Sequence, residues 1–194
     1  CMFFESKIYS NISRGGIEVI CGSMFSGKTQ ELIRRLKRLK VAKKKFIVFK
    51  PSIDIRYKKN EIVSHNKDSI NATVVNNIAE IQNLISDEEV IAIDEAQFFD
   101  ETLVSLCNDL ANKGKRIIIC GLDMDYLGVP FGIMPSLMAI SDSITKLHAI
   151  CSDCGDTANY SYRKSIDQDR IVIGEKDEYK ALCRVCFYNK KNCE

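Results

Sequence analysis

The chain has 194 residues, of which 45% are hydrophobic and 28% charged, with no tryptophan and only three prolines. That length suits one ordinary domain plus a small appendage. A net charge of +2, from 28 basic and 26 acidic residues, argues against a dedicated polyanion binder. No apolar run approaches the roughly 20 residues of a membrane span. The opening stretch CMFFESKIYSNISRGG lacks the apolar core and cleavage site of an export signal.

Taken in order, Ile17–Cys21 (IEVIC) is a β-branched run that leads into glycine and then a helical pattern of Leu32, Ile33, Leu36 and Leu39. Between them lies GSMFSGKT: Gly22, Ser23, Met24, Phe25, Ser26, Gly27, Lys28 and Thr29. This fits the phosphate-binding loop G-x-x-x-x-G-K-[ST], in its required setting between a strand and a helix. Successive backbone N–H groups and the helix N-terminus would cradle phosphates there. Lys28 would reach the outer phosphates, and the Thr29 hydroxyl would ligate Mg²⁺. From Leu32 to Ile53 there are nine Lys or Arg and no acid, read as a solvated helix face or as a bias toward phosphorylated ligands.

KFIVFK, VIAIDE and RIIICGLD follow as short runs with little alternation, fitting strands covered on both faces. Ile78–Ile85 and Thr102–Lys113 read as helices. Residues Pro51–Ala72 are polar and weakly periodic and read as a long loop, with His65 lacking any companion ligand. The fold class expected is α/β: an open parallel sheet of the P-loop NTPase type, flanked by helices. VIAIDEAQFFD ends a buried strand on Asp94 and Glu95. Asp94 fits the Walker B position near Mg²⁺. Glu95, one residue further, is placed to face a substrate hydroxyl.

Nine cysteines without an export signal suggest a reducing compartment, with metal or buried thiols instead of disulfides. Cys21, Cys107 and Cys120 read as core residues. Cys151, Cys154, Cys183 and Cys186 form C-x₂-C…C-x₂-C with 28 residues between the pairs, a Cys₄ signature for structural zinc. His148 reads as packed in a strand, not as a ligand. The organisation expected is an ATP-binding unit over residues 1–150 and a zinc-held unit over 151–194. Four functions stand open on these features: a nucleoside kinase, an ATPase acting on nucleic acid, a regulatory nucleotide-binding module, and a nucleoside monophosphate kinase.

In order along the chain, GSMFSGKTQELIRR, FKPSIDIRY, IDEAQFF, GLDMDYLGVPFG, KLHAICSDCG, YSYRK and IGEKDEYKALCRVCF resemble the zinc-containing (type II, cytosolic) thymidine kinase family. The resemblance implies ATP-dependent phosphorylation of thymidine at its 5′-hydroxyl within pyrimidine deoxynucleotide salvage, with deoxyuridine as a further substrate. It implies Glu95 as the base, zinc on the four cysteines, Mg²⁺ with ATP, feedback by dTTP, a cytoplasmic homotetramer, and neither nucleic acid nor membrane as partner. By position, Asp54, Ile55 and Arg56, with Asp94, Glu95, Ala96 and Gln97, are similar to segments near ATP. Arg170, Ile171, Val172, Ile173, Gly174 and Tyr179 match a lasso-like thymidine loop, and Tyr126 matches an aromatic substrate contact. Met24, Leu122 and Ser161 match the pocket for the thymine methyl. Several family members carry two glycines where this chain has IGEK, so Gly174 stands without a glycine neighbour. Main-chain groups of such a loop can pair with the edge of thymine and reject cytosine, which offers a donor where thymine offers O4.

Overall fold

A computed structural model of the chain describes residues 15–53, 61–63, 69–164 and 178–191. Six strands form one parallel sheet: β1 (Gly16–Gly22), β2 (Phe46–Pro51), β5 (Thr73–Val75), β6 (Val90–Ile93), β7 (Arg116–Gly121) and β8 (Ser143–Leu147). Their order across the sheet is β5-β2-β6-β7-β1-β8. Helix α1 (Lys28–Val41) covers one face. Helices α2 (Ile78–Leu84), α3 (Thr102–Asn112) and α4 (Met134–Ala139) cover the other.

This two-sided cover explains the unbroken apolar runs. Successive strand residues point to opposite faces. Ile91, Ile93, Ile117 and Ile119 therefore pack with Leu103, Leu106 and Leu110 of α3. Ala92, Ile118 and Cys120 pack with Leu32, Ile33 and Leu36 of α1. Cys21, Cys107 and Cys120 are buried core thiols, as expected. Burial pushes Cys107 up to about 12, leaving it an inert small hydrophobe.

Two strands escape simple pattern reading. β5 has three residues and β8 is a half-exposed edge, so neither carries the apolar run of a central strand. The segment expected as a long loop instead contains a hairpin, β3 (Glu61–Val63) paired antiparallel with β4 (Ser69–Asn71). Ile62 is buried in the core on the α1 face, with Ile70 packed against it; this burial fixes the pairing. His65 lies outside the described residues.

Beyond the sheet, β9 (Ala149–Ile150) pairs with β10 (Thr157–Ala158), and β11 (Tyr160–Arg163) with β12 (Tyr179–Leu182). Helix α5 (Arg184–Lys191) follows. A small separate core joins them, with Tyr160 stacked on Phe187 at 4.5 Å between ring centroids. His148 is exposed between β8 and β9, not packed in a strand; its ring meets the Asn159 side chain.

An ion-pair network fastens α1 to the sheet. Arg35, only 8% exposed, bonds Glu31 at 2.8 Å, Glu18 at 2.7 Å and the Thr145 hydroxyl at 2.8 Å. Glu18 also accepts from Arg116 at 2.6 Å. The Arg34 hydrogen bond, together with Arg35 and against the opposing effect of burial, holds Glu31 down at about 2 from its ordinary 4.5. A carboxylate depressed in this way adds stability that is complete above about pH 4.5 and is lost as pH falls toward 2. Replacing Glu31 with Gln is therefore expected to lower the melting temperature at pH 7, with a gap to wild type that closes below pH 4.5 in scanning calorimetry. A gap unchanged down to pH 2 would show that charge plays no part.

Candidate active site and metal centre

The sheet register sets the site. β1 runs beside β7 with Cys21 opposite Gly121, and β6 runs beside β7 with Ile93 opposite Ile119. Three features thus leave the carboxyl edge at neighbouring strand ends: the glycine loop after Cys21, the acidic pair after Ile93, and Leu122 after Gly121. In open α/β sheets this edge is where ligands bind.

In the loop, Gly22 has φ 141° and Gly27 has φ 85°. A Cβ on Gly22 would lie 2.1 Å from the Leu147 carbonyl, so a side chain is excluded there. Phe25 also has positive φ, at 64°, an unusual choice for an aromatic. Its side chain packs on the small core that carries the cysteines, which supports the conformation. Lys28, 9% exposed, donates to the Ser23 carbonyl at 2.8 Å, and Ser26 Oγ donates to the same oxygen at 2.8 Å. Thr29 is half-buried in the first turn of α1.

Asp94 (4% exposed) and Glu95 (8%) follow β6. Glu95 donates its amide to Asp94 Oδ1 at 3.0 Å and itself adopts φ 52°, ψ 43°. Its carboxylate accepts from Gln97 Nε2 at 2.6 Å, while Gln97 Oε1 accepts from the Leu122 amide at 3.0 Å. Because a backbone N–H can only donate, the second contact fixes the amide orientation: the NH₂ of Gln97 must face Glu95. Two glycines make room for Gln97. A Cβ on Gly121 would lie 2.7 Å from its Oε1, and one on Gly132 2.5 Å from its carbonyl. The buried Cys120 thiol, raised mainly by burial, also feels Asp94, Glu95 and Lys28. The loop cation and the two carboxylates thus all act on the same buried thiol.

Met24 and Ser161 come together, the Met24 amide donating to Ser161 Oγ at 2.9 Å. Tyr126 and Tyr179 also converge, since Arg163 stacks on Tyr126 and lies opposite Tyr179 in the β11–β12 ladder. Leu122 is tied to Gln97 through its amide. Asp54, Ile55 and Arg56, and the loop Arg170, Ile171, Val172, Ile173 and Gly174, lie outside the described residues. Arg163 is missing from the set expected from sequence. The available signal was strand alternation: in YSYR, Ser161 and Arg163 share one face.

The four cysteines converge on one point, with their sulfurs all within 4.8 Å of one another. Cys154 and Cys183 are 3.6 Å apart. Four thiolates at about 2.3 Å from a tetrahedral zinc stand roughly 3.8 Å apart, so the set fits such an ion. The first pair sits on the β9–β10 turn, where Gly155 takes φ 80° and its amide bonds the Cys151 carbonyl at 2.9 Å. The second opens α5, the Cys186 amide facing Cys183 Sγ at 3.4 Å. Burial opposes ionisation of Cys151, but backbone groups of Cys183, Cys154 and Asp153 outweigh it and bring the thiol down to about 6. With four protein sulfurs, a tetrahedral metal held there would keep no open position, the donor set of a structural site.

A glycine loop between a parallel strand and a helix, opposite an acidic pair on the neighbouring strand end, defines a P-loop nucleotide-binding protein of the phosphoryl-transfer kind. Its appended four-cysteine unit narrows the class further. The thymidine kinase family profile matches residues 15–187, and the chain belongs to that family. It is 51% identical over 186 residues to a thymidine kinase of Bacteroides fragilis, covering 96% of this chain and 94% of the relative. It is 52% identical over 183 residues to one of Porphyromonas gingivalis, covering 94% and 90%. A third, from Rhodothermus, is 51% identical over 175 residues, covering 90% and 82%. Among the described residues no helix is long and apolar enough to cross a membrane.

Metal removal gives the test of the cysteine site. Cys183→Ser is expected to lose bound zinc by elemental analysis and to lower the melting temperature, because binding free energy at such sites is folding free energy. Retention of stoichiometric zinc with a wild-type melting curve would show that these sulfurs are not ligands.

Proposed function

We propose that the chain transfers the γ-phosphoryl group of ATP to the 5′-hydroxyl of thymidine, giving dTMP and ADP, with Glu95 as the base. The observation that supports this best is the Leu122–Gln97–Glu95 chain of hydrogen bonds at the strand edge that also carries the phosphate loop. A carboxylate is far too weak a base to ionise an alcohol beforehand. In a loose transition state the new bond forms late and the proton leaves late, so orientation matters more than basicity. Gln97 supplies that orientation, holding one carboxylate oxygen.

Gly22 to Thr29 bind the phosphates, with Asp54–Arg56 and Asp94–Gln97 alongside the nucleotide. Thr29 and Asp94 would hold Mg²⁺, whose role is to offset phosphate charge. Met24, Leu122, Tyr126, Ser161, residues 170–174 and Tyr179 receive the nucleoside. The described ends of β11 and β12 are the two roots of that loop. Residues 1–150 act as the ATP-binding unit and 151–194 as the zinc-held unit that presents thymidine. The resemblance also supports deoxyuridine as a second substrate, feedback by dTTP, a role in deoxynucleotide salvage, and a cytoplasmic homotetramer.

The test supplies ATP·Mg²⁺ with each of the four deoxynucleosides, with deoxyuridine and with dTMP, and measures ADP release. Thymidine turnover is expected, with deoxycytidine, deoxyadenosine and deoxyguanosine inert. Glu95→Gln should keep ATP binding by calorimetry and lose kcat by roughly 10²- to 10⁴-fold. Turnover of dTMP in place of thymidine would assign a monophosphate kinase instead.

A further inference from the structure

Arg163 is a cation with only 5% of its surface exposed, at the end of a short strand. Taking a guanidinium out of water is costly, and a merely space-filling position would avoid that cost with Leu or Met. Its contacts give it another purpose. The Arg163 Cζ lies 3.6 Å from the centre of the Tyr126 ring, a stacked contact between a planar cation and an aromatic face. Across the antiparallel ladder Arg163 stands directly opposite Tyr179. Burial raises the Tyr179 phenol, and the Arg163 side chain facing it across the ladder opposes that rise. One residue further, the Lys164 amide bonds the Glu178 carbonyl at 2.8 Å and closes the ladder. Arg163 therefore joins three segments: the chain after β7, the last residue of β11 and the first of β12. Two of its partners are aromatic positions assigned above to the nucleoside.

We propose that Arg163 is a positioning residue for the nucleoside: its guanidinium holds the Tyr126 ring and the Tyr179 phenol as two walls of one pocket. The inference rests on the assignment of that pocket under the proposed function. Arg163 acts through the tyrosines and does not take part in phosphoryl transfer. Both contacts depend on a flat, delocalised cation. A lysine ammonium keeps the charge but cannot stack and hydrogen-bond in the same way. The neighbouring Ser161, on the same strand face, is bound to the Met24 amide of the phosphate loop, so β11 carries one link to each subsite.

Wild type, Arg163→Lys and Arg163→Met are to be compared, the last filling the same space without charge. Each is assayed for kcat, for KM of thymidine and of ATP, and for zinc content. The thymidine KM is expected to rise about tenfold in both variants, since stacking and the hydrogen bond are lost together. The ATP KM, kcat and zinc content should stay within about twofold, and lysine should not rescue. Because the chain has no tryptophan, Tyr126→Trp gives a single emission reporter of that ring. Adding Arg163→Met to it should shift emission to longer wavelength as the indole is released toward water. A wild-type thymidine KM in the methionine variant, or parallel increases in both KM values with loss of zinc, would overturn the proposal, as would unchanged indole emission. Failure of wild type to phosphorylate thymidine would instead defeat the substrate assignment, and the emission shift would still decide whether Arg163 holds the ring.

Discussion

The parallel register of β1, β6 and β7 is the constraint on which the site depends. Each strand is held to its neighbour by a ladder of backbone hydrogen bonds with both faces buried, so slipping one residue would turn an entire isoleucine set to the wrong layer. With that register, the chain turns into Asp94 and Glu95 on one side of β7 and into the glycine loop on the other, at neighbouring strand ends. A phosphate loop without the adjacent acids would bind nucleotide and do no more. The acids without the loop would have no charge to organise. The chemistry is thus a property of the sheet edge, and the buried core residues behind it, such as Ile118 and Ile119, set its accuracy.

The C-terminal unit solves a different problem. Among the described residues its own core is small: eight buried residues, of which two are cysteines and three are alanines. So little apolar surface cannot by itself order the strands that lead into and out of residues 165–177. A metal held on the four sulfurs would supply the missing free energy, and would do so at the strand roots, where β9, β12 and α5 meet. Phe25 and Met124 lean on this same core from the nucleotide-binding side. A metal held there would thus also steady, through Phe25, the wall of the phosphate loop.

Much of this was legible in the sequence, for identifiable reasons. Central strands announced themselves because burial on both faces forces consecutive β-branched residues. The glycine loop, the acidic pair and the cysteine pairs have fixed spacing, because phosphate and metal geometry tolerate little variation. The short edge strands β5 and β8 were not legible, being half-exposed and held by backbone bonds to a neighbour that no local pattern reveals. The β3–β4 hairpin hid in polar sequence because only Ile62 and Ile70 of it meet the core. Among site residues, Gln97 was read only as lying near nucleotide. Its role as a bridge needed the Leu122 amide, which is 25 residues away in sequence. Arg163 escaped because alternation in YSYR puts it on the face of Ser161 but does not reveal the ring it stacks on.

Backbone strain at the site follows the same logic. Among the described residues three non-glycine residues have positive φ, and two of them, Phe25 and Glu95, belong to the phosphate loop and the acidic turn. Such conformations cost of order 1–3 kcal/mol each and persist only where surroundings overdetermine them. For Phe25 the surroundings are the aromatic and cysteine-bearing core. For Glu95 they are the Asp94 carboxylate receiving its amide and the Gln97 amide gripping its side chain. Glycine at residue 95 would relieve the strain but remove the carboxylate, and a relaxed backbone would swing that carboxylate off the Gln97 line. The strained turn is what lets two successive residues serve separate ends, Asp94 facing back into the turn and Glu95 held outward by Leu122 and Gln97.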